Sequence, residues 1–173
     1  MLNHLIMTTT GSELARKFAL SAHGDQKYGD EFPYIVHLVL VHMIGVQAGV
    51  TDQDVLNALI LHDTLEDTDT DYETIAAIFG TRTADIVAAV TEPKGLSRKE
   101  RHADTYPRIA KDRDARIVKL CDRISHVWFG GKKVGMYLKE HASFKAALGE
   151  PQSQIERDLW TSLNYMIAQI PRR

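Results

Sequence analysis

Cysteine is almost missing: Cys121 is the only one in 173 residues. A lone thiol excludes a disulfide framework and any zinc site assembled from several cysteines of one chain. Proline (5) and glycine (11) are sparse, which excludes collagen-like and low-complexity architectures. No apolar run approaches the ~20 residues that cross a bilayer, and no basic stretch leads into an apolar one near the N-terminus. A cytoplasmic protein with no membrane partner is therefore expected. Basic residues are scarce in the first half, where residues 1–90 carry 4 against 13 acidic ones, a balance of −9. Residues 91–173 reverse this, with 17 basic and 10 acidic side chains, a balance of +7. The basic half alone would suit a nucleic-acid partner, but the acidic half argues against one. A site holding a cation with carboxylates and a polyanion with lysines and arginines accounts for both halves. Two solvated helix faces would do so as well.

What is present is ordinary globular material: 44% hydrophobic and 25% charged residues, in a length that suits one compact domain. No internal repeat is visible. The apolar spacing predicts helices throughout. Ser12 is placed to cap a helix bearing Leu14, Ala15, Phe18, Ala19 and Ala22, and Tyr28–Pro33 reads as a polar loop. The run YIVHLVLV has strand-like β-branching, but its apolar character continues through Met43, Ile44 and Val46, predicting a helix from about Val36 to Val50. Thr51 with Asp54 opens DVLNALILHDTL, and Thr70 with Glu73 opens a helix that Gly80 ends. A short helix follows up to Pro93. Ser97 and Glu100 form a capping-box pattern, and Pro107 is expected to kink or split the helix they open. Asp112 or Asp114 opens DARIVKLCDRISHVWF, and Val134–Leu148 and Ile155–Ile170 complete an all-α chain of roughly nine helices.

The chemistry concentrates in LHDTLEDT, residues 61–68. On one continuous helix, His62, Asp63, Glu66 and Asp67 share a face one turn apart. Three carboxylates and an imidazole so close repel one another unless a cation sits among them. His37, 25 residues upstream in an apolar run, and Asp122, 59 residues downstream of Asp63 inside KLCDRI, are candidate partners. Singly, each reads as a satisfied core residue, Asp122 pairing with Arg123 or Lys119. Jointly they supply two imidazoles and two carboxylates on three helices. That mixed set suits Mn²⁺, Fe²⁺ or Zn²⁺ better than Ca²⁺, and leaves positions open for water and substrate.

The H…HD…D constellation resembles the signature of HD-domain phosphohydrolases. AHGDQ, PYIVH, ALILHDTLEDTDT, Phe79–Gly80, AAVTEPK and IVKLCDRISHV narrow the likeness to the RelA/SpoT-type hydrolases of guanosine polyphosphate alarmones, across roughly residues 15–128. The resemblance implies a single HD domain over 1–173, with a family-like core of about 12–148 and a C-terminal helix at 151–170. It also implies a small stand-alone alarmone hydrolase, since the chain is too short for the synthetase and regulatory domains of the long enzymes. By position it makes His37, His62, Asp63 and Asp122 the ligands of Mn²⁺, and Glu66 and Asp67 the pair that orients and activates water. The implied reaction removes the 3′-pyrophosphate of ppGpp or pppGpp. Another nucleotide phosphate such as a dNTP or NADPH, or a catalytically silent binding module, are the competing readings.

Two departures touch substrate recognition. Where the family carries an Arg-Lys pair before PYIVH, this chain has Tyr28 and Gly29, with Lys27 adjacent and Asp30 and Glu31 following. Where the family reads D-R-L-H-N, this chain reads Asp122-Arg-Ile-Ser-His126, so His126 replaces an asparagine that meets substrate. Four residues after Asp122, His126 shares its face and is open to being a fifth ligand, a substrate contact or a proton donor. Lys27 and Tyr28 are expected near the base. Lys94, Arg98, Lys99 and Arg101 are candidate phosphate contacts, as is Lys119, for which an ion pair with Glu66 or Asp67 is the alternative. The stripe Ile155, Leu159, Met166 and Ile170 reads as core or as contact in a homo-oligomer.

Overall fold

The computed structural model describes residues 2–29, 31–130 and 133–170, with side chains from Ser12 onward. The order is α1 (Leu2–His23), a two-stranded hairpin of β1 (Lys27–Tyr28) and β2 (Phe32–Pro33), then α2 (Ile35–Gln47), α3 (Gln53–Leu61) and α4 (Thr64–Asp67). After these come α5 (Tyr72–Phe79), α6 (Thr81–Val90), α7 (Arg98–Lys111), α8 (Arg113–Phe129), α9 (Val134–Leu148) and α10 (Gln154–Gln169). Among the described residues this is an all-α architecture: nine helices of eight residues or more, one four-residue turn, and one small antiparallel hairpin. No described helix is long and apolar enough to cross a membrane.

Helix α8 is the axis. Ile117, Val118, Leu120, Cys121, Ile124 and Val127 are all buried, so it is apolar around most of its circumference, as a central helix must be. Helices α2, α3, α6, α7, α9 and α10 pack against it. Helix α3 is equally enclosed, with Val55 to Leu61 buried without interruption. It packs closely on α2 at Gly45, where a Cβ would force the Leu59 side chain to shift. The stripe Ile155, Leu159, Met166 and Ile170 belongs to the core, where α10 lies on α8. Arg116 and Glu156, buried to 1% and 0% exposure, tie these two helices together. The Arg116 guanidinium also donates to the Leu148 and Glu150 carbonyls.

Several boundaries differ from the sequence reading. Helix α1 begins at Leu2, and Ser12 lies inside it with its hydroxyl 3.2 Å from His42 Nε2. Asp52 rather than Thr51 caps α3, and Asp71 rather than Thr70 caps α5; each carboxylate accepts a free first-turn N–H. The segment read as a polar loop forms the hairpin. The Ser97–Glu100 capping box is present, and Asp112 caps α8. Pro107 does not split α7. It and Ala103, whose carbonyl would lose its donor, are both exposed, so water can replace the missing bond.

Candidate metal centre and cleft

The largest departure from the sequence reading is at the His62–Asp63 pair. One continuous helix was expected there; instead α3 stops at Leu61, His62 is its C-cap, and Asp63 adopts φ −98°, ψ −4° before α4 starts. Side chains satisfy the carbonyls this break releases. His62 Nδ1 donates to Leu59 O at 3.0 Å, and Thr64 Oγ1 donates to Leu61 O. The break turns His62 and Asp63 toward α2 and α8 and carries Glu66 and Asp67 to the rim of the same cleft.

Four side chains separated in sequence meet there. His37 Nε2 lies 3.6 Å from Asp63 Oδ2 and 3.4 Å from Asp122 Oδ1; His62 Nε2 lies 3.1 Å and 3.8 Å from the same two oxygens. His37 and His62 are buried to 0% and 2% exposure. His37 Nδ1 is held 3.0 Å from Ser125 Oγ, as His62 Nδ1 is held by Leu59 O. With the Nδ1 atoms so occupied, the Nε2 atoms face inward. His37 Nε2, His62 Nε2 and Asp122 Oδ1 are all buried without a hydrogen-bond partner. Such orphans cost free energy unless something cationic sits among them. Burial pushes both carboxyls up, yet the histidines around Asp63, and Lys119 and His126 beside Asp122, hold both well below the usual carboxylate range.

A second layer fixes these groups, and the sequence reading gave its members no role. Tyr34 donates its hydroxyl to Asp63 Oδ2 at 2.6 Å and stacks on His23 at 4.7 Å between ring centroids. Gln26 Nε2 donates to Asp67 Oδ2 at 3.0 Å while its carbonyl oxygen meets His23 Nδ1 at 2.7 Å. The signal was present in AHGDQ and PYIVH as residues without assigned work. The Glu92 backbone N–H donates to Glu66 Oε2 at 3.0 Å. Burial raises the Glu66 carboxyl above its ordinary range, and that N–H opposes the shift.

The cleft has two lobes that share Tyr34, Asp67, His126 and Lys133. The smaller, about 220 Å³, holds Asp63, Glu66, Asp67 and Asp122 together with Arg98, Arg101, His102, Lys119 and Arg123. The larger, about 610 Å³, is walled by Tyr28, Phe32, Tyr34 and Phe129 and includes Lys27 and Glu31. Arg98 is anchored by a bidentate bond to Glu140 at 2.6 and 2.9 Å. Lys119 pairs with Asp122 Oδ2 at 3.0 Å, the pairing read for Asp122 taken singly, rather than with Glu66 or Asp67. Of the basic residues after AAVTEPK, Lys94 and Lys99 are exposed and line neither lobe, while Arg98 and Arg101 line the cleft. Arg123 and Lys133 join them; neither was legible as a cleft residue. Tyr28, expected to face a base, has its hydroxyl 2.8 Å from His126 Nδ1 and its ring stacked 4.6 Å from His37. It serves the buried cluster with one face and its hydroxyl while lining the aromatic lobe.

Comparison with known proteins agrees with this architecture. The guanosine-3′,5′-bis(diphosphate) 3′-pyrophosphohydrolase of Aquifex aeolicus is 36% identical over 131 residues, covering 73% of this chain and 19% of that protein. The protein of the same name in Danio rerio, MESH1, is 35% identical over 111 residues, covering 62% of each chain. The chain thus spans less than two thirds of either relative. A solved structure described as a metazoan ortholog of SpoT that hydrolyzes ppGpp superposes with a TM-score of 0.77 at 26% identity, covering 92% of this chain and 94% of that one. The HD domain model matches residues 15–129, a span that contains His37, His62, Asp63 and Asp122, and the chain belongs to the HD-domain family.

Proposed function

We propose that this chain is a divalent-metal-dependent phosphohydrolase acting on guanosine 3′,5′-bis(diphosphate) and its pentaphosphate relative, releasing pyrophosphate and leaving GDP or GTP. The observation that carries this is the set of buried, unpartnered acceptors, His37 Nε2, His62 Nε2 and Asp122 Oδ1, converging beside Asp63 at the floor of a cation-lined cleft. Two neutral imidazoles and two carboxylates fit a dication in charge and donor type. Mn²⁺ is the ion the family resemblance implies, with Fe²⁺ and Zn²⁺ suited to the same donors. When bound, the cation polarises the phosphoryl group and makes the attacking water more acidic.

The chain's own residues supply the rest. Glu66, with one oxygen tied to the Glu92 N–H and a raised proton affinity, is the general base. Asp67, aimed by Gln26, orients the water. The water oxygen bonds to the phosphorus on the 3′ oxygen, the 3′-O–P bond breaks, and the ribose oxygen takes a proton. Arg98, Arg101, Lys119, Arg123 and Lys133 line the path of the departing pyrophosphate. The aromatic lobe, with Tyr28, Phe32 and Phe129 and the Lys27 ammonium, receives the purine. A second reading, hydrolysis of another nucleotide phosphate, draws on that lobe. Among the described residues its cations are lysines rather than arginines, so none of them reads both guanine O6 and N7 with one fork. Glu66 and Asp67, which line the same cleft as Asp63 and Asp122, speak against a pure binding module.

The test is a product screen of the purified protein with Mn²⁺ against ppGpp, pppGpp, dNTPs and NADPH. Pyrophosphate from the guanosine polyphosphates is the expected result. Release only from another nucleotide would overturn the substrate, and no release from any would overturn the enzyme.

A further inference from the structure

His126 follows Asp122 by one turn of α8 and lines both lobes of the cleft, yet its ring nitrogens are engaged as those of His37 and His62 are. Its ring lies between His37, 4.7 Å away at 27°, and Tyr137, 4.9 Å away at 16°, which fixes the plane of the imidazole. Its Nδ1 is 2.8 Å from the Tyr28 hydroxyl. All three imidazoles therefore share one arrangement: Nδ1 is engaged by an oxygen outside the cluster (Ser125 Oγ, Leu59 O or Tyr28 Oη), and Nε2 points inward. The three Nε2 atoms surround a single oxygen, Asp122 Oδ1, at 3.4, 3.8 and 3.1 Å for His37, His62 and His126.

The shortest of these contacts is not a hydrogen bond, because Asp122 Oδ1 has no hydrogen-bond partner. The His62 Nε2–Asp63 Oδ2 contact, also 3.1 Å, has the same character, since His62 Nε2 is equally unpartnered. A cation shared by these atoms would account for contacts that are close without being hydrogen bonds. Atoms bound about 2.1 Å from one metal ion stand roughly 3.0 Å apart when adjacent, which is the spacing of both pairs. His37, Asp122 and His126 also form a group whose ligand atoms all lie within 4.8 Å of one another.

We propose that His126 is a fifth metal ligand, converting the two-imidazole, two-carboxylate set into three imidazoles and two carboxylates. This rests on the metal-site reading above and deepens it. Tyr28 is then the partner that orients His126, as Ser125 orients His37. A six-coordinate ion would keep one position for exchange instead of two, and the added imidazole shifts preference from Mn²⁺ toward Fe²⁺, Co²⁺ and Zn²⁺.

Cobalt substitution tests this directly. In the Co²⁺-loaded protein, each ligating imidazole contributes one hyperfine-shifted, solvent-exchangeable Nδ1–H proton signal. Three are expected in the wild type and two in His126→Asn. Tyr28→Phe should retain three, with one displaced and exchanging faster with water, and it keeps the test available if the asparagine variant misfolds. His126→Asn should also weaken Co²⁺ binding by more than about tenfold and Mn²⁺ binding by less. Two shifted signals in the wild type would remove His126 from the coordination sphere while leaving the four-ligand site intact. No bound cobalt in the wild type would overturn the metal site itself.

Discussion

Replacing Glu66 by glutamine separates the proposed base from everything else Glu66 does. The Glu66 carboxylate accepts the Glu92 N–H at 3.0 Å, and the glutamine carbonyl can accept the same bond, so the α4 turn keeps its tether. The Asp63 and Glu92 carboxylates both act to raise the Glu66 pKa. Neutralising the side chain relieves that repulsion, and folding stability should hold or rise slightly. What disappears is the capacity to take a proton, which is worth ~10²–10⁴ in kcat, or about 3–5 kcal/mol at the transition state. Steady-state pyrophosphate release, metal content by mass spectrometry and thermal melting read the three consequences separately. The acid limb of the wild-type pH–rate profile, which follows Glu66 deprotonation, should vanish in the variant. Glu66→Ala is the contrast: it also leaves the Glu92 N–H without its acceptor and should lower stability by ~1–3 kcal/mol. Wild-type turnover in Glu66→Gln would refute the assignment, and loss of metal would show that Glu66 supports the cation instead.

Tyr34→Phe removes the 2.6 Å bond to Asp63 Oδ2 and should weaken Mn²⁺ binding ~10–100-fold in a protein that still folds; titration calorimetry showing unchanged affinity would contradict it. In the metal-free protein burial pulls the His37 pKa down, but the adjacent Asp122 and Asp63 carboxylates prevail and push it up to about 9. Metal binding at pH 7 should therefore release a proton, and apparent affinity should climb with pH to about 9. Calorimetry in buffers of different ionisation enthalpy checks this, and heats independent of the buffer would contradict it. The same raised pKa gives the metal-free protein a stability contribution that is complete below 6.5 and lost as pH rises through 9; denaturation across that range should show the decline. Arg116→Met strands the Glu156 carboxylate at 0% exposure and should cost ~3–5 kcal/mol in urea unfolding, while Arg116→Met with Glu156→Leu should recover much of it.

Much of this was legible in one dimension because helix geometry is local. The Ser97–Glu100 capping box, the Gly80 stop and the α9 boundaries follow from spacings within one or two turns. The His62–Asp63 pair and its acidic neighbours stood out because nothing in an apolar helix calls for them, and the family resemblance supplied partners in His37 and Asp122. The helix break at His62 was not legible. It depends on Leu59 and Leu61 carbonyls finding His62 and Thr64 side chains as donors, and a continuous helix satisfies the same periodicity. The basic residues were equally ambiguous: Lys94 and Lys99 sit as close in sequence to the motif as Arg98 and Arg101, but only the packing of α7 against α8 and α9 decides which face the cleft.

The order of residues was enough to set the helices, most of their ends and the residue types that chemistry needs, because those depend on neighbours within a few positions. Long-range packing was needed to make Tyr28 and His126, 98 residues apart, hold each other. It was also needed for Asp122 to give one oxygen to Lys119 and the other to three imidazoles. A side chain's partner across the core is set by how α2, the α3–α4 break and α8 pack together, and no local spacing carries that information.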